Sequence, residues 1–67
     1  MQTNFIQLIH KNETITYIDK DSIRNVHVNE KELKITIFYK NLGTDNCTHA
    51  TCKSLLQVMG FINQLRS

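Results

Sequence analysis

The chain has 67 residues, eight Lys and Arg against six Asp and Glu for a formal charge of +2, three His, two Cys and no Pro or Trp. That length allows one small domain, residues 1–67, burying only about 60% of the surface its unfolded chain exposes and drawing roughly 3–5 kcal/mol from its core. It leaves little room for a catalytic pocket of roughly 300 Å³ or more; the scattered basic residues demand no polyanionic partner; and stability this small places a partner subunit among the expectations.

In chain order, FIQLI (residues 5–9) has apolar residues on both parities, Ile6 and Leu8 on one face and Phe5 and Ile9 on the other. Such a strand is expected to be central or partly covered on both sides. HKNE (10–13) is a polar break, and TITYI (14–18) alternates, with Ile15 and Tyr17 on one face, so the pair reads as a hairpin. Residues 19–22 (DKDS) form a turn cluster whose short side chains can bond the backbone locally. IRNVHV (23–28) returns as a third strand with Val26 and Val28 on one parity. After NEKE (29–32) comes LKITIFYK (33–40), where Leu33, Ile35, Ile37 and Tyr39 alternate with Lys34, Thr36, Phe38 and Lys40, the period of a strand with one wet face. Residues 41–46 (NLGTDN) are a loop, and CTHAT (47–51) is either a short fifth strand or an extended approach to the final element.

That element is a helix. In KSLLQVMGFINQLR (53–66), Leu55, Val58, Met59, Ile62 and Leu65 recur at helical spacing and are expected to face the sheet, with Phe61 at the border of that stripe. Two caps overlap at its start: Thr51 with an Ala50–Leu55 staple, or Ser54 with Gln57 as a capping box. The expected fold class is therefore α+β, an antiparallel meander sheet of four to five strands covered on one face by the C-terminal helix.

The order of Phe5, Ile6 and Leu8, a hairpin into Tyr17, Ile18 and Asp19, then Ile23, the run Ile35, Thr36 and Ile37, and a Thr/Ser-led amphipathic C-terminal helix resembles the small flagellar swarming-motility family. Similar patterns occur in uncharacterised small proteins of bacteria and mobile elements. The resemblance implies the same small α+β fold. The chain differs in its last hairpin, lengthened by residues 41–46 where the family has a tight glycine-led turn, and in placing Cys52 and Lys53 where an acidic residue begins the family's helix.

Three sets of residues are candidates for function. On the back of the helix, with Leu55 at 0° and the expected core arc near ~320°, Leu56, Gly60 and Asn63 fall at about 100°, 140° and 80°. A glycine there costs about 1 kcal/mol relative to alanine, and a closely approaching partner would account for it. On the wet face of the fourth strand, Lys34, Phe38 and Lys40 place an aromatic between two ammonium groups, the elements of single-strand nucleic-acid binding. Cys47, His49 and Cys52 form C-x-H-x₂-C, three soft-metal ligand types, with His10 or His27 as a fourth. The bland reading of these last three, two small apolar thiols and an exposed histidine, is the stronger. A Cys47–Cys52 disulfide is disfavoured, since five strand residues span ~16 Å against a bridging limit of ~7 Å.

The expectation is a non-enzymatic protein-interaction module, an adaptor or inhibitor of bacterial or mobile-element type. It would bury a helix-back patch of Leu56, Gly60 and Asn63, or a sheet edge, against a protein partner or a second copy. Nucleic-acid binding through Lys34, Phe38 and Lys40 is the alternative. No activated nucleophile or glycine-rich phosphate loop appears, so neither an enzyme nor a cofactor is expected. Met1 is followed by polar Gln2, Thr3 and Asn4, and no stretch approaches the ~20 apolar residues of a membrane span. The expected location is the cytoplasm, with both thiols reduced.

Overall fold

A computed structural model describes residues 4–41 and 46–66. In order they form β1 (Phe5–Ile9), β2 (Ile15–Asp19), a 3₁₀ turn (Lys20–Ser22), β3 (Ile23–Asn29), β4 (Lys34–Tyr39), β5 (Cys47–Thr51) and α1 (Leu55–Arg66). The segment 47–51 is thus a strand, and the chain is α+β.

Local chemistry fixes the connections. Between β1 and β2, the Asn12 Oδ1 accepts from the Thr14 amide at 3.2 Å and from its hydroxyl at 2.6 Å. Glu13 takes a left-handed φ of 72° to close that turn. Asp19 caps the 3₁₀ turn by accepting from the Asp21 amide at 3.0 Å, and the Ser22 hydroxyl donates to the Asp19 carbonyl at 2.7 Å. At the helix start Ser54 is the cap, its Oγ accepting from the Gln57 amide, while the Gln57 side chain accepts from the Lys53 amide at 2.8 Å.

The strands do not form the expected single meander. They make two antiparallel sheets, β1–β2 and β3–β4–β5. The break falls between β2 and β3, where the 3₁₀ turn Lys20–Ser22 intervenes and no ladder joins the two strands, while the helix closes the free edge of β1. Its even-numbered residues bond β2, as the flanking His10-to-Thr14 and Lys20-to-Asn4 backbone bonds indicate, so Gln7 turns its N–H and C=O the other way. Both are taken by one side chain from the helix: Gln64 Oε1 accepts from the Gln7 amide and Gln64 Nε2 donates to the Gln7 carbonyl, each at 2.8 Å. A side-chain amide occupies the place of a neighbouring strand. The two sheets are stitched at a corner, where the Lys11 amide donates to the Thr51 carbonyl at 2.7 Å.

The hairpin and α1 consequently lie side by side as one layer over the β3–β4–β5 sheet, in a molecule 32 × 28 × 20 Å across. Between the layers are buried Ile6, Leu8, Ile18, Ile35, Ile37, Ala50, Cys52, Val58 and Phe61. Full burial of each large side chain among them stabilises by about 1.5–3 kcal/mol. Val26, Val28, Leu33, Tyr39, Ile62 and Leu65 border this core.

The Gln64 anchor also sets the roll of the helix. It turns the side at about 180° toward β1, so the side entering the core centres near ~280° rather than ~320°. Phe61 is therefore buried and Ile62 and Leu65 half-buried, whereas Leu55 and Met59, expected inside, remain 47% and 42% exposed.

Candidate protein-interaction surface

The surface opposite the core of the hairpin–helix layer is apolar. In the β1–β2 register Phe5 stands opposite Asp19, Gln7 opposite Tyr17 and Ile9 opposite Ile15, all on the outward face. The Gln7–Tyr17 and Ile9–Ile15 pairs are the non-hydrogen-bonded kind, in which facing side chains approach most closely. Phe5, Ile9, Ile15 and Tyr17 are all exposed, and among the described residues of the two strands Asp19 is the one formally charged side chain on this face. The expectation that β1 is central or partly covered on both sides is thus corrected: Ile6 and Leu8 face the core, while Phe5 and Ile9 are exposed.

The helix back continues this face. With the 180° side against the edge of β1 and the 240–300° side in the core, the arc from about 80° to 140° points to the same side as Phe5 and Tyr17. That arc holds Leu56, Gly60 and Asn63, all exposed, with Leu56 the most exposed large apolar residue among the described residues at 82%. A Cβ added at Gly60 would meet no heavy atom within 4 Å. Nothing inside the fold requires glycine there. At the far side of the hairpin, β2 ends its sheet, and Ile15 and Tyr17 direct their backbone groups away from β1 as an open edge.

The other two candidate sets lie on the far layer. Lys34, Phe38 and Lys40 lie along β4 and its end. The Lys34 ammonium is 3.3 Å from the Glu32 carboxylate, and Phe38 is half-buried with the Arg24 guanidinium 5.8 Å from its ring centroid. The ring face is thus engaged by a cation of the same sheet. Of the C-x-H-x₂-C set, Cys47 and His49 meet, Sγ to Nε2 at 3.2 Å, and His49 Nδ1 lies 3.3 Å from the Thr36 hydroxyl. Cys52 does not join them. Its amide bonds the Leu33 carbonyl, keeping the chain extended for one more residue, and its side chain turns into the core on the parity of Ala50. Both cysteines are free, and burial pushes the Cys52 thiol above its ordinary pKa of 9.0. Among the described residues no three His, Cys, Asp or Glu side chains are gathered closely enough to hold a metal ion. His10 instead meets the Thr16 hydroxyl at 2.7 Å and helps line a shallow depression of about 340 Å³ with Lys34, Thr36, His49 and Thr51.

Sequence reasoning singled out Leu56, Gly60 and Asn63 but missed Phe5, Ile9, Ile15 and Tyr17 as surface. The available signal was the second apolar parity, which in FIQLI reads as cover and in TITYI sets Ile15 and Tyr17 on one face without assigning that face to core or solvent. In comparisons with known proteins the chain matches no family model, no curated protein and no solved structure. Among the described residues no helix is long and apolar enough to cross a membrane.

Proposed function

We propose that the protein is a non-enzymatic protein-interaction module, an adaptor or inhibitor of bacterial or mobile-element type, working in the cytoplasm through the outward face of its hairpin–helix layer. The observation that supports this most is the joining of two apolar surfaces that the sequence presents separately: Phe5, Ile9, Ile15 and Tyr17 on the hairpin and Leu56 beside the bare Gly60 on the helix. Five large apolar side chains with about 200 Å² each to offer, at these exposures, present on the order of 550 Å². That is near the top of the ~300–600 Å² range of the largest patch on an ordinary monomer, where such patches are often functional.

The mechanism is burial. Water leaves the apolar face, Gly60 lets a partner's backbone or side chain come close to the helix, and the open edge of β2 supplies hydrogen-bond direction at the border. Photo-crosslinking in cells tests the reading, with benzoylphenylalanine at Tyr17 on this face and at Lys34 on the opposite layer. Discrete protein adducts are expected from position 17 and none from position 34. Equal yields at the two positions, or adducts from position 34 alone, would overturn the assignment.

A further inference from the structure

Resting on that reading, we propose that the occupant of the outward face is a second copy of this chain, seated face to face about a two-fold axis. The area comes first. Around the ~550 Å² of apolar surface, the interleaved Gln7, Asn63 and Asp19 bring the face close to the ~800 Å² that each partner buries in an interface of standard size. The face is thus large enough for a stable dimer without recruiting the other layer.

Composition points the same way. Phe5, Ile9, Ile15, Tyr17 and Leu56 outnumber the polar Gln7, Asn63 and Asp19 on this face, in line with the more apolar character of homodimer interfaces. Charged groups are depleted at the centre, as at interface cores: among the described residues of the two strands the face has only Asp19, at its end opposite Phe5. The Asp19 carboxylate is already engaged by the Asp21 amide at 3.0 Å. A two-fold operator therefore brings no like charges together at the centre, and the +2 charge of each copy is too small to oppose association.

Shape gives the third argument. In an isologous contact each protrusion must find its recess on an identical surface. This face supplies a protrusion and bare helix backbone to receive it, Leu56 projecting one turn from a glycine whose Cβ position is open space. Two helix backs related by a two-fold can set Leu56 of one copy over Gly60 of the other. The small core of a 67-residue chain gains from this added burial, since association stabilises the folded state by mass action.

The test is sedimentation equilibrium of the purified chain from micromolar to submillimolar concentration, with Tyr17→Glu and Leu56→Glu as disrupting variants and Thr36→Glu on the opposite layer as a control. Circular dichroism establishes that each variant is folded; the disrupting side chains are 61% and 82% exposed. A wild-type monomer–dimer equilibrium is expected, weakened about tenfold or more by each disrupting variant and unchanged by Thr36→Glu. A dimer insensitive to both disrupting variants, or disrupted by Thr36→Glu, overturns the proposal. A wild-type chain that stays monomeric overturns it too. In that case adducts from position 17 with another protein would leave the interaction reading standing, and their absence would remove both.

Discussion

Gly60→Ala separates the demands of the fold from those of association. Gly60 is in the interior of α1, no glycine of the described chain has a positive φ, and the added Cβ meets no heavy atom within 4 Å. No clash, strain or cavity enters the sum, which leaves the intrinsic helix preference of alanine, about 0.8–1 kcal/mol. In a domain of this size 1 kcal/mol corresponds to roughly 4–8 °C in Tm. Thermal denaturation followed by circular dichroism in dilute solution, where association does not add to stability, is expected to show a rise of that size. Sedimentation on the same protein is expected to show weaker association, because the methyl group covers the bare backbone offered to Leu56 of the other copy. A Tm that falls in dilute solution would refute the open environment assigned to Gly60. A raised Tm with unchanged association would refute close approach as the reason for the glycine.

Other substitutions probe other parts of the account. Gln64→Ala removes two hydrogen bonds to the β1 backbone and should cost about 1–3 kcal/mol, with faster amide exchange at Gln7 as its local signature. Unaltered exchange at Gln7 would deny Gln64 its place as a surrogate strand. Glu13→Gly relieves an exposed left-handed residue at φ 72° and should stabilise by about 1 kcal/mol in a urea titration, whereas destabilisation would place the Glu13 side chain in a contact of value. Of the two thiols, Cys47 should react readily with a thiol reagent in the native state and Cys52 only on unfolding. The raised pKa of Cys52 also has a stability consequence. The folded state holds the thiol proton to higher pH than the unfolded state does, so its contribution is full below pH 9.0 and is lost as pH rises through the folded-state value. Cys52→Ala should remove that alkaline component, and an identical alkaline decline in the variant would refute the assignment.

Much of this fold was legible because period and parity are local properties. FIQLI is a strand from Phe5 to Ile9, the alternation of LKITIFYK puts Ile35 and Ile37 inside and Lys34 outside, and the helix runs from Leu55 to Arg66. The division into two sheets was not legible, because it falls at the 3₁₀ turn between β2 and β3, and DKDS reads equally as the turn of a continuous hairpin; nor was the docking of the helix, which depends on Gln64 reaching a strand 57 residues earlier, where an amide on a helix otherwise reads as surface. The roll of the helix follows from the same contact. Two overlapping apolar stripes share Val58, Ile62 and Leu65, and periodicity alone does not choose between completing them with Leu55 and Met59 or with Phe61. The interaction surface was half legible for a related reason. Gly60 beside Leu56 stands out on any helical projection, but its continuity with Phe5 and Tyr17 exists only once the helix lies against the edge of β1.

The most direct test of the central claim is a dilution series of amide chemical shifts on the uniformly labelled wild-type chain. The account predicts concentration-dependent shifts concentrated at Phe5, Ile9, Ile15, Tyr17, Leu56 and Gly60, with Lys34, Thr36 and His49 still. Shifts centred on the β3–β4–β5 sheet, or a spectrum unchanged by dilution, would contradict it.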